Sequence, residues 1–273
     1  MSERWTRTTC AYCGVGCGVL ARPSADGQSA EIKGDDEHPA NLGRLCSKGA
    51  ALGETLSLAD RLLDPIVNGV ATSWNDALNV VANRFAETIA AHGPDSVALY
   101  VSGQLLIEDY YVANKLMKGF IGTANIDTNS RLCMASSVAG HRRAFGTDTV
   151  PGNYADIEEA DLVVIVGSNL AWCHPVLYQR LAAAREARGT RIVVIDPRRT
   201  MTSDIADMHL AIAPGSDVAL FNGLLAHLAY AGLLNRDYVV EHTIGYDAAL
   251  AAAGRMEIAE IARATELGTR DIY

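Results

Sequence analysis

The amino-acid sequence predicts an α/β fold in which a small β-rich, cysteine-bearing module precedes α/β regions with parallel, Rossmann-like sheets. Residues 1–56 are rich in glycine and hold four of the six cysteines of the chain. Further on, apolar runs at 162–166 and 191–196 flank a helical segment, which is the pattern of a βαβ unit. The 273 residues are 49% apolar, which is enough to bury a sizeable core.

The first module, residues 1–56, is predicted to contain short strands at 19–21 and 30–33. These runs flank a turn signal at Asp26-Gly27, so they are expected to pair as a hairpin. The glycines between the first cysteines favour a tight loop rather than a helix. We therefore expect a compact, β-rich metal module.

The middle region, residues 57–139, begins with a predicted amphipathic helix that Ser73 caps and Gly93 ends. Apolar residues recur along it at helical spacing: Ala77, Leu78, Val81, Phe85 and Ile89. Three further segments are predicted ahead of Cys133: a strand at 97–101, a helix at 108–120 and a polar loop at 125–131.

The last region, residues 140–273, is predicted to be Rossmann-like. A continuously buried strand at 162–166 leads into a helix from Pro175 to Arg188 and then into the strand at 191–196. Helices are predicted near 217–233 and 256–264. Because the sequence ends in the middle of this pattern, we expect an incomplete member of a larger multidomain fold.

Charge and hydropathy exclude several function classes. Twenty-three Lys and Arg stand against 32 Asp and Glu, and the formal charge of −9 argues against a nucleic acid partner. No run reaches the roughly 20 apolar residues of a membrane span. The sequence reaches Cys10 without an apolar signal core, so we expect a cytoplasmic protein, in which cysteines are reduced and available to metals.

Four cysteines form the strongest local signal: Cys10, Cys13, Cys17 and Cys46. Three thiols in one glycine-rich loop and a fourth from a remote loop suit the four iron corners of a [4Fe–4S] cube. The alternative is a structural zinc site, but such sites usually pair two Cys-x-x-Cys knuckles. The spacing favours the cluster.

Other candidates are ambiguous when each is considered alone. Spacing alone makes Cys133 a small core residue. Gly167-Ser168-Asn169 joins a predicted strand to a helix, where a phosphate could meet backbone N–H groups, but a plain turn has the same pattern. Asp196 could accept a hydrogen bond from a ribose or guanine, or it could serve the turn before Pro197.

Several spaced motifs together resemble a known family. The segment C-A-Y-C-G-V-G-C-G-V-L, followed by C-S-K-G, is similar to the N-terminus of the molybdopterin-dependent oxidoreductases of the dimethyl sulfoxide reductase type. The segment N-S-R-L-C-M-A-S-S-V-A-G (129–140) resembles the one that brings a cysteine onto molybdenum. Three more segments resemble the nucleotide-binding loops of that family: V-G-S-N-L-A-W-C-H-P (166–175), D-P-R-R-T (196–200) and P-G-S-D (214–217).

The resemblance implies a [4Fe–4S] cluster on the first four cysteines and a molybdenum bis(molybdopterin guanine dinucleotide) cofactor. It implies that Cys133 is the molybdenum ligand, that Lys48 lies between cluster and pterin, and that Gln104 and Asn129 contact the pterin. The implied dinucleotide-binding residues follow the predicted strands: Gly167, Ser168, Asn169, Asp196, Arg198, Gly215, Ser216 and Asp217. By the same resemblance Cys173 is structural.

Within that family, Met134 after the cysteine is similar to nitrate reductases, whereas formate dehydrogenases usually have His there. The resemblance is to the assimilatory, cytoplasmic nitrate reductase catalytic subunit, with nitrate as substrate. Because Met134 adjoins Cys133, we expect it to shape the nitrate pocket. It implies electrons from ferredoxin, flavodoxin or an NADH flavoprotein. Alternatives are formate dehydrogenase and a non-catalytic electron-transfer or scaffold subunit. Because family members are several times longer, we expect a fragment or one part of a split enzyme, with weak activity alone.

Overall fold

The computed structural model describes residues 4–59, 61–103, 105–254 and 256–272. The chain divides into two units that interleave in sequence. One unit combines the residues up to Ser57 with those from Gly152 onwards, and the other is Leu58–Pro151.

The cysteine module is built on a three-stranded antiparallel sheet. Its middle strand, Gly18–Pro23, pairs with Thr6–Thr9 on one side and Ala30–Gly34 on the other. The predicted strands at 19–21 and 30–33 are confirmed, and the first strand was not predicted because T-R-T-T has no apolar alternation. Val19 of the middle strand is fully buried.

A parallel sheet forms the centre of the same unit. Strand Arg191–Ile195 lies between Leu162–Val166 and Met208–Leu210, and helix Pro175–Arg188 connects the first two strands. The predicted βαβ unit is therefore confirmed. The strand Met208–Leu210 was not predicted, although Met208, Leu210 and Ile212 alternate with other residues in the manner of a strand.

The first parallel strand is not continuously buried, which corrects the prediction. Ile165 packs with Leu181, Ile192 and Val194 beneath the connecting helix. Leu162, Val164 and Val166 point to the opposite face and are 53%, 47% and 40% exposed. Alternate side chains of a strand face opposite ways, and within this unit the connecting helix covers one face.

The rest of this unit is helical. The predicted helices near 217–233 and 256–264 are confirmed with the bounds Asp217–Tyr230 and Ile258–Thr265. They pack where Gly223 meets Ile261, and both residues are buried. The other helices are short: Ser47–Ala50, Tyr154–Glu159, Leu170–Cys173, Arg236–His242, Tyr246–Ala253 and Thr269–Ile272. Leu52–Leu56 and Met201–Ile205 are 3₁₀ turns.

The longest helix of the second unit is Trp74–His92, and it lies where the sequence predicted it. The Ser73 hydroxyl accepts a hydrogen bond from the Asp76 N–H at 3.2 Å, and Gly93 ends the helix with φ +83°. Strand Leu99–Val101 pairs in parallel with Ile126–Thr128. The other elements complete the unit: Ile66–Val67, Val70–Ala71, Pro94–Ser96, Ile107–Asn114, Lys115–Ile121, Asn129–Cys133 and Ala135–Phe145.

The segment 125–131 is not a loop as predicted. It holds the strand Ile126–Thr128 and the start of the helix Asn129–Cys133. The strand was not predicted because its sequence is largely polar. It is extended because it pairs with Leu99–Val101. Across the described parts of the chain, no helix combines the length and apolar character needed to cross a membrane.

We expect Leu181→Ala to lower the free energy of unfolding by about 2–5 kcal/mol, because it empties a fully buried site in the core under the parallel sheet. Urea denaturation measures the change. The matched control is Leu162→Ala on the half-exposed face of the same sheet, with an expected loss of less than about 1 kcal/mol. Equal losses in the two variants would show that the core does not lie where the structure has it.

Candidate cofactor site

The four cysteines of the first module line one cavity. Cys10, Cys13, Cys17 and Cys46 meet there, and Lys48 lies on the wall beside them. Cys17 is buried, the other three are partly buried, and no described cysteine forms a disulfide. The structure thus assembles from two loops the set that the sequence predicted as cluster ligands.

The backbone of the first loop sets the spacing of its three thiols. The Cys10 N–H donates to the Cys17 carbonyl at 2.9 Å, and the Gly16 N–H donates to the Cys13 carbonyl at 3.3 Å. Gly16 has φ +68°, a conformation in which a side chain is strained. The loop therefore folds back on itself and turns its cysteines to one side.

Asn41 ties the second cysteine loop to the first. Its amide is fully buried, and its Oδ1 accepts from the Gly18 N–H at 2.8 Å. Its Nδ2 donates to the Gly18 carbonyl at 3.0 Å and to the Arg44 carbonyl at 2.9 Å. Gly18 follows Cys17 and Arg44 precedes Cys46 by two residues, so one side chain joins the two loops.

The pocket disfavours the ionised form of the Cys17 thiol. Burial raises the pKa of the Cys17 thiol to about 11, and the neighbouring Cys10, Cys13 and Cys46 contribute to the rise as like charges. A thiol that binds iron must lose its proton, and the positive charge of a bound metal group would favour that loss at Cys17.

The cavity presents four thiols from two loops, and a [4Fe–4S] cube would take one thiolate at each of its four irons. Within the described residues, no group of three or more His, Cys, Asp or Glu is placed so that it could hold a single metal ion.

Two side chains that sequence reasoning missed reach these loops from the segment after Gly152. The Tyr154 hydroxyl donates to the Val15 carbonyl at 3.0 Å. Arg180 is 2% exposed and donates from Nη1 to the Pro39 and Ala40 carbonyls at 2.7 and 2.8 Å. No local pattern marks either residue, because each acts on a segment about 140 residues away.

The predicted nucleotide-binding residues gather at one edge of the parallel sheet. The three loops 167–169, 196–198 and 215–217 each follow the carboxyl end of one of its three strands, where ligands of such sheets bind. Gly167 and Gly215 have φ +57° and +84°, so they permit tight turns there.

Hydrogen bonds already shape this edge. Asn169 Oδ1 accepts from the Thr202 hydroxyl at 3.1 Å, and Asp196 Oδ1 accepts from the Arg198 N–H at 2.8 Å. Ser216 precedes the helix Asp217–Tyr230 and donates from its hydroxyl to the Ala213 carbonyl at 2.6 Å. Thr202 was missed by sequence reasoning, because nothing in its position after the Asp196 loop marks it locally.

The remaining predicted residues lie in the second unit. Asn129 Oδ1 accepts from the Gly103 N–H at 2.9 Å, which joins the loops after the two parallel strands. Cys133 ends the helix Asn129–Cys133 and is exposed, and Met134 beside it is 49% exposed. Gln104 lies outside the described residues.

Two family models match the chain. One is described as the molybdopterin oxidoreductase Fe4S4 domain and covers residues 3–57, which include all four cysteines of the cavity. The other, molybdopterin oxidoreductase, covers residues 61–238. The chain belongs to the molybdopterin oxidoreductase family. The family resemblance and the α/β fold class predicted from the sequence are thereby confirmed.

Relatives of this molybdopterin oxidoreductase include proteins named nitrate reductase. It is 62% identical to one from Klebsiella oxytoca over 85% of this chain and 27% of the relative. It is 50% identical to one from Shewanella frigidimarina over 96% of this chain and 29% of the relative. A periplasmic nitrate reductase from Desulfovibrio desulfuricans is 46% identical over 81% of this chain and 30% of its own length. The chain spans less than a third of the length of these relatives.

A solved structure has a similar fold. Acetylene hydratase from Pelobacter acetylenicus superimposes with a TM-score of 0.79 and 25% sequence identity, over 97% of this chain and 37% of that one. This molybdopterin oxidoreductase therefore has the fold of part of a larger protein. Its Fe4S4 domain supports a [4Fe–4S] cluster, and its molybdopterin region supports a molybdenum cofactor.

We expect the Glu158–Arg180 pair to make stability depend on pH. The hydrogen bond from Arg180 lowers the pKa of Glu158, with smaller contributions from the charges of Arg180 and Arg44, while burial opposes them. Because the folded pKa lies below the ordinary 4.5, the stabilisation is complete above about pH 4.5 and is lost as pH falls through the lowered pKa.

Urea denaturation at a series of pH values tests this. Glu158→Gln should be less stable than wild type at neutral pH, and the difference should shrink below about pH 4.5. The control Glu87→Gln removes an exposed partner of Arg84 and should change stability by less than about 0.5 kcal/mol throughout. A Glu158→Gln deficit that stays constant in acid would contradict a lowered pKa for Glu158.

Proposed function

We propose that the protein takes part in the molybdenum-dependent reduction of nitrate to nitrite, with electrons entering through a [4Fe–4S] cluster. The observation that carries the proposal is the cavity in which the four cysteines of the Fe4S4 domain meet Lys48. The choice of nitrate is supported by relatives named nitrate reductase, at 50% and 62% identity.

The thiolates of Cys10, Cys13, Cys17 and Cys46 would hold the cluster. The cluster exchanges single electrons, and molybdenum exchanges two electrons and an oxygen atom with nitrate. Lys48 lines the same cavity and carries a positive charge, which favours the arrival of an electron beside it. Its ammonium can also donate a hydrogen bond to a pterin placed between cluster and molybdenum.

Cys133 would bind the molybdenum. A soft thiolate suits this metal, and the Cys133 side chain is exposed and bound in no disulfide. Asn129, four residues earlier, and Gln104 would contact the pterin. Asn129 stands at the carboxyl end of a parallel strand pair, with its Oδ1 already accepting from the Gly103 N–H.

The sheet edge in the other unit would hold the guanine dinucleotide. Asp196 and Asp217 supply carboxylates for ribose or guanine, and Arg198 is exposed to meet a phosphate. Gly167 and Gly215 permit tight turns at the same edge, and Ser168, Asn169 and Ser216 beside them would contact the phosphates.

The domain roles follow from these assignments. Residues 1–56 would form the cluster module, 57–139 would carry the molybdenum-ligand loop and 140–273 the dinucleotide-binding region. The electron donor would be a ferredoxin, a flavodoxin or an NADH flavoprotein. The assimilatory role and cytoplasmic location belong to the same proposal, and cell fractionation tests them because one relative is named a periplasmic nitrate reductase.

Metal analysis and paired assays of the holoenzyme test the central claim. We expect iron and molybdenum to be present and nitrate, rather than formate, to be consumed. Formate oxidation without nitrate reduction would reverse the assignment in favour of a formate dehydrogenase. Iron without molybdenum would instead indicate a non-catalytic electron-transfer subunit.

We expect Cys133→Ser to lower nitrate reduction by more than about 100-fold and to lower the molybdenum content, because the harder hydroxyl replaces the metal ligand. Iron content should stay unchanged. The matched control is Cys173→Ser, since Cys173 is also exposed and belongs to neither ligand set. Equal activity in the two variants would exclude Cys133 as the ligand.

We propose that Met134 shapes the nitrate pocket, because it directly follows Cys133 and its side chain is half exposed. Met134→Ala should raise the KM for nitrate by roughly 10-fold with molybdenum retained, as expected when a contact in a substrate pocket is removed. Met208→Ala, at a position of similar exposure in a strand of the other unit, is the control. Unchanged nitrate kinetics in Met134→Ala would remove this role.

A further inference from the structure

We propose that Tyr154 and Arg180 are positioning residues that hold the two cysteine loops from outside and thereby set the reduction potential of the cluster. The inference rests on the proposed function in one respect, since it takes the four cysteines to bind a [4Fe–4S] cluster. Neither residue is a cluster ligand.

Tyr154 fixes the peptides between the second and third cysteines. Its hydroxyl lies 3.0 Å from the Val15 carbonyl oxygen and 3.3 Å from that of Gly14. The C=O and N–H groups of one trans peptide point in opposite directions. Holding the Gly14 carbonyl towards Tyr154 therefore turns the Val15 N–H away from Tyr154, and Val15 lines the cysteine cavity.

Arg180 fixes the segment that leads to the fourth cysteine. Its Nη1 donates to the Pro39 and Ala40 carbonyls, while Nε and Nη2 each donate to Glu158 at 2.8 Å. Ala40 packs in the same buried cluster as Cys17 and Val15, and Asn41 follows it. One buried guanidinium thus holds the chain that Asn41 connects to both loops.

The charge of Arg180 is compensated, so its contribution is geometric. Glu158 accepts two hydrogen bonds from the guanidinium in the fork arrangement that favours fixed orientation. A lysine at 180 would keep the charge but present a single nitrogen, which cannot reach both carboxylate oxygens and both carbonyls in one plane. Arg180→Lys therefore separates position from charge.

The helix that carries Arg180 also forms part of the wall. Pro175 and Val176, at its start, line the cysteine cavity, and Gln179 Nε2 lies 3.4 Å from the Leu45 carbonyl oxygen, next to Cys46. Contacts from this segment thus reach the first loop, the second loop and the chain between them. Amide hydrogen bonds and solvent access are what tune a cluster potential, and both depend on these loops.

Redox titration of the cluster in the holoenzyme, followed by electron paramagnetic resonance, tests the proposal. Tyr154→Phe removes one hydroxyl, and we expect full iron content, an unchanged melting temperature and a lower midpoint potential. The potential falls because less well-directed N–H groups stabilise the reduced, more negative cluster less. Arg180→Lys should shift the potential in the same direction.

The controls are Tyr238→Phe, an exposed tyrosine, and Arg185→Lys, which pairs with Asp207 from the same helix as Arg180. Both should keep the wild-type potential. Loss of iron from Tyr154→Phe or Arg180→Lys at a wild-type melting temperature also supports positioning. Full iron with wild-type potentials in both would overturn it. A wild-type protein without an iron–sulfur signal would instead overturn the proposed function on which this inference depends.

Discussion

Four thiols that share a buried pocket form the constraint on which the first unit depends. Ionised together, they would repel one another, and burial raises the pKa of the Cys17 thiol. The backbone bonds of the first loop, the amide of Asn41 and the apolar cluster around Cys17 hold the sulfurs in place despite this. A bound metal group would supply positive charge to this pocket, so we expect metal uptake to stabilise the module.

The parallel sheet brings three loops that are separate in sequence to one edge. Strands that run the same way present their carboxyl ends at one edge, so the loops after Leu162–Val166, Arg191–Ile195 and Met208–Leu210 meet there. The second unit has the same arrangement with only two parallel strands. The loops that follow them are joined by the hydrogen bond from the Gly103 N–H to Asn129 Oδ1. Polar contacts are thus confined to strand ends while the strands pack the core.

Local signals account for what the sequence could predict. Ser73 and Gly93 mark the helix Trp74–His92, and Pro175 and Gly189 mark Pro175–Arg188, because caps and turns depend on adjacent residues. The cysteine set was recognisable since its members have one chemistry and lie on two short segments. The strand Ile126–Thr128 was missed because its polar sequence takes that conformation through pairing with a distant strand.

Long-range contacts set the limit of prediction at the site. Tyr154, Arg180 and Asn41 resemble ordinary surface or loop residues until the fold places them against backbone carbonyls. The uncovered face of Leu162, Val164 and Val166 is a related case, because an apolar run does not say how many layers will cover it. Ligand residues that form a local motif can therefore be predicted from the sequence, whereas the residues that position them are identified only from the three-dimensional structure.

The interleaving of the first unit has a consequence for biosynthesis. Ala40 and its partner Arg180 are separated by 140 residues of chain, all of which must leave the ribosome between them. At about 5–20 residues per second this interval lasts roughly 7–28 s. During that time the four cysteines have left the ribosome, but Pro175 and Val176, which line their cavity, have not. The pocket is completed only once residue 180 has emerged, so its thiols must stay reduced until the helix Pro175–Arg188 packs against them.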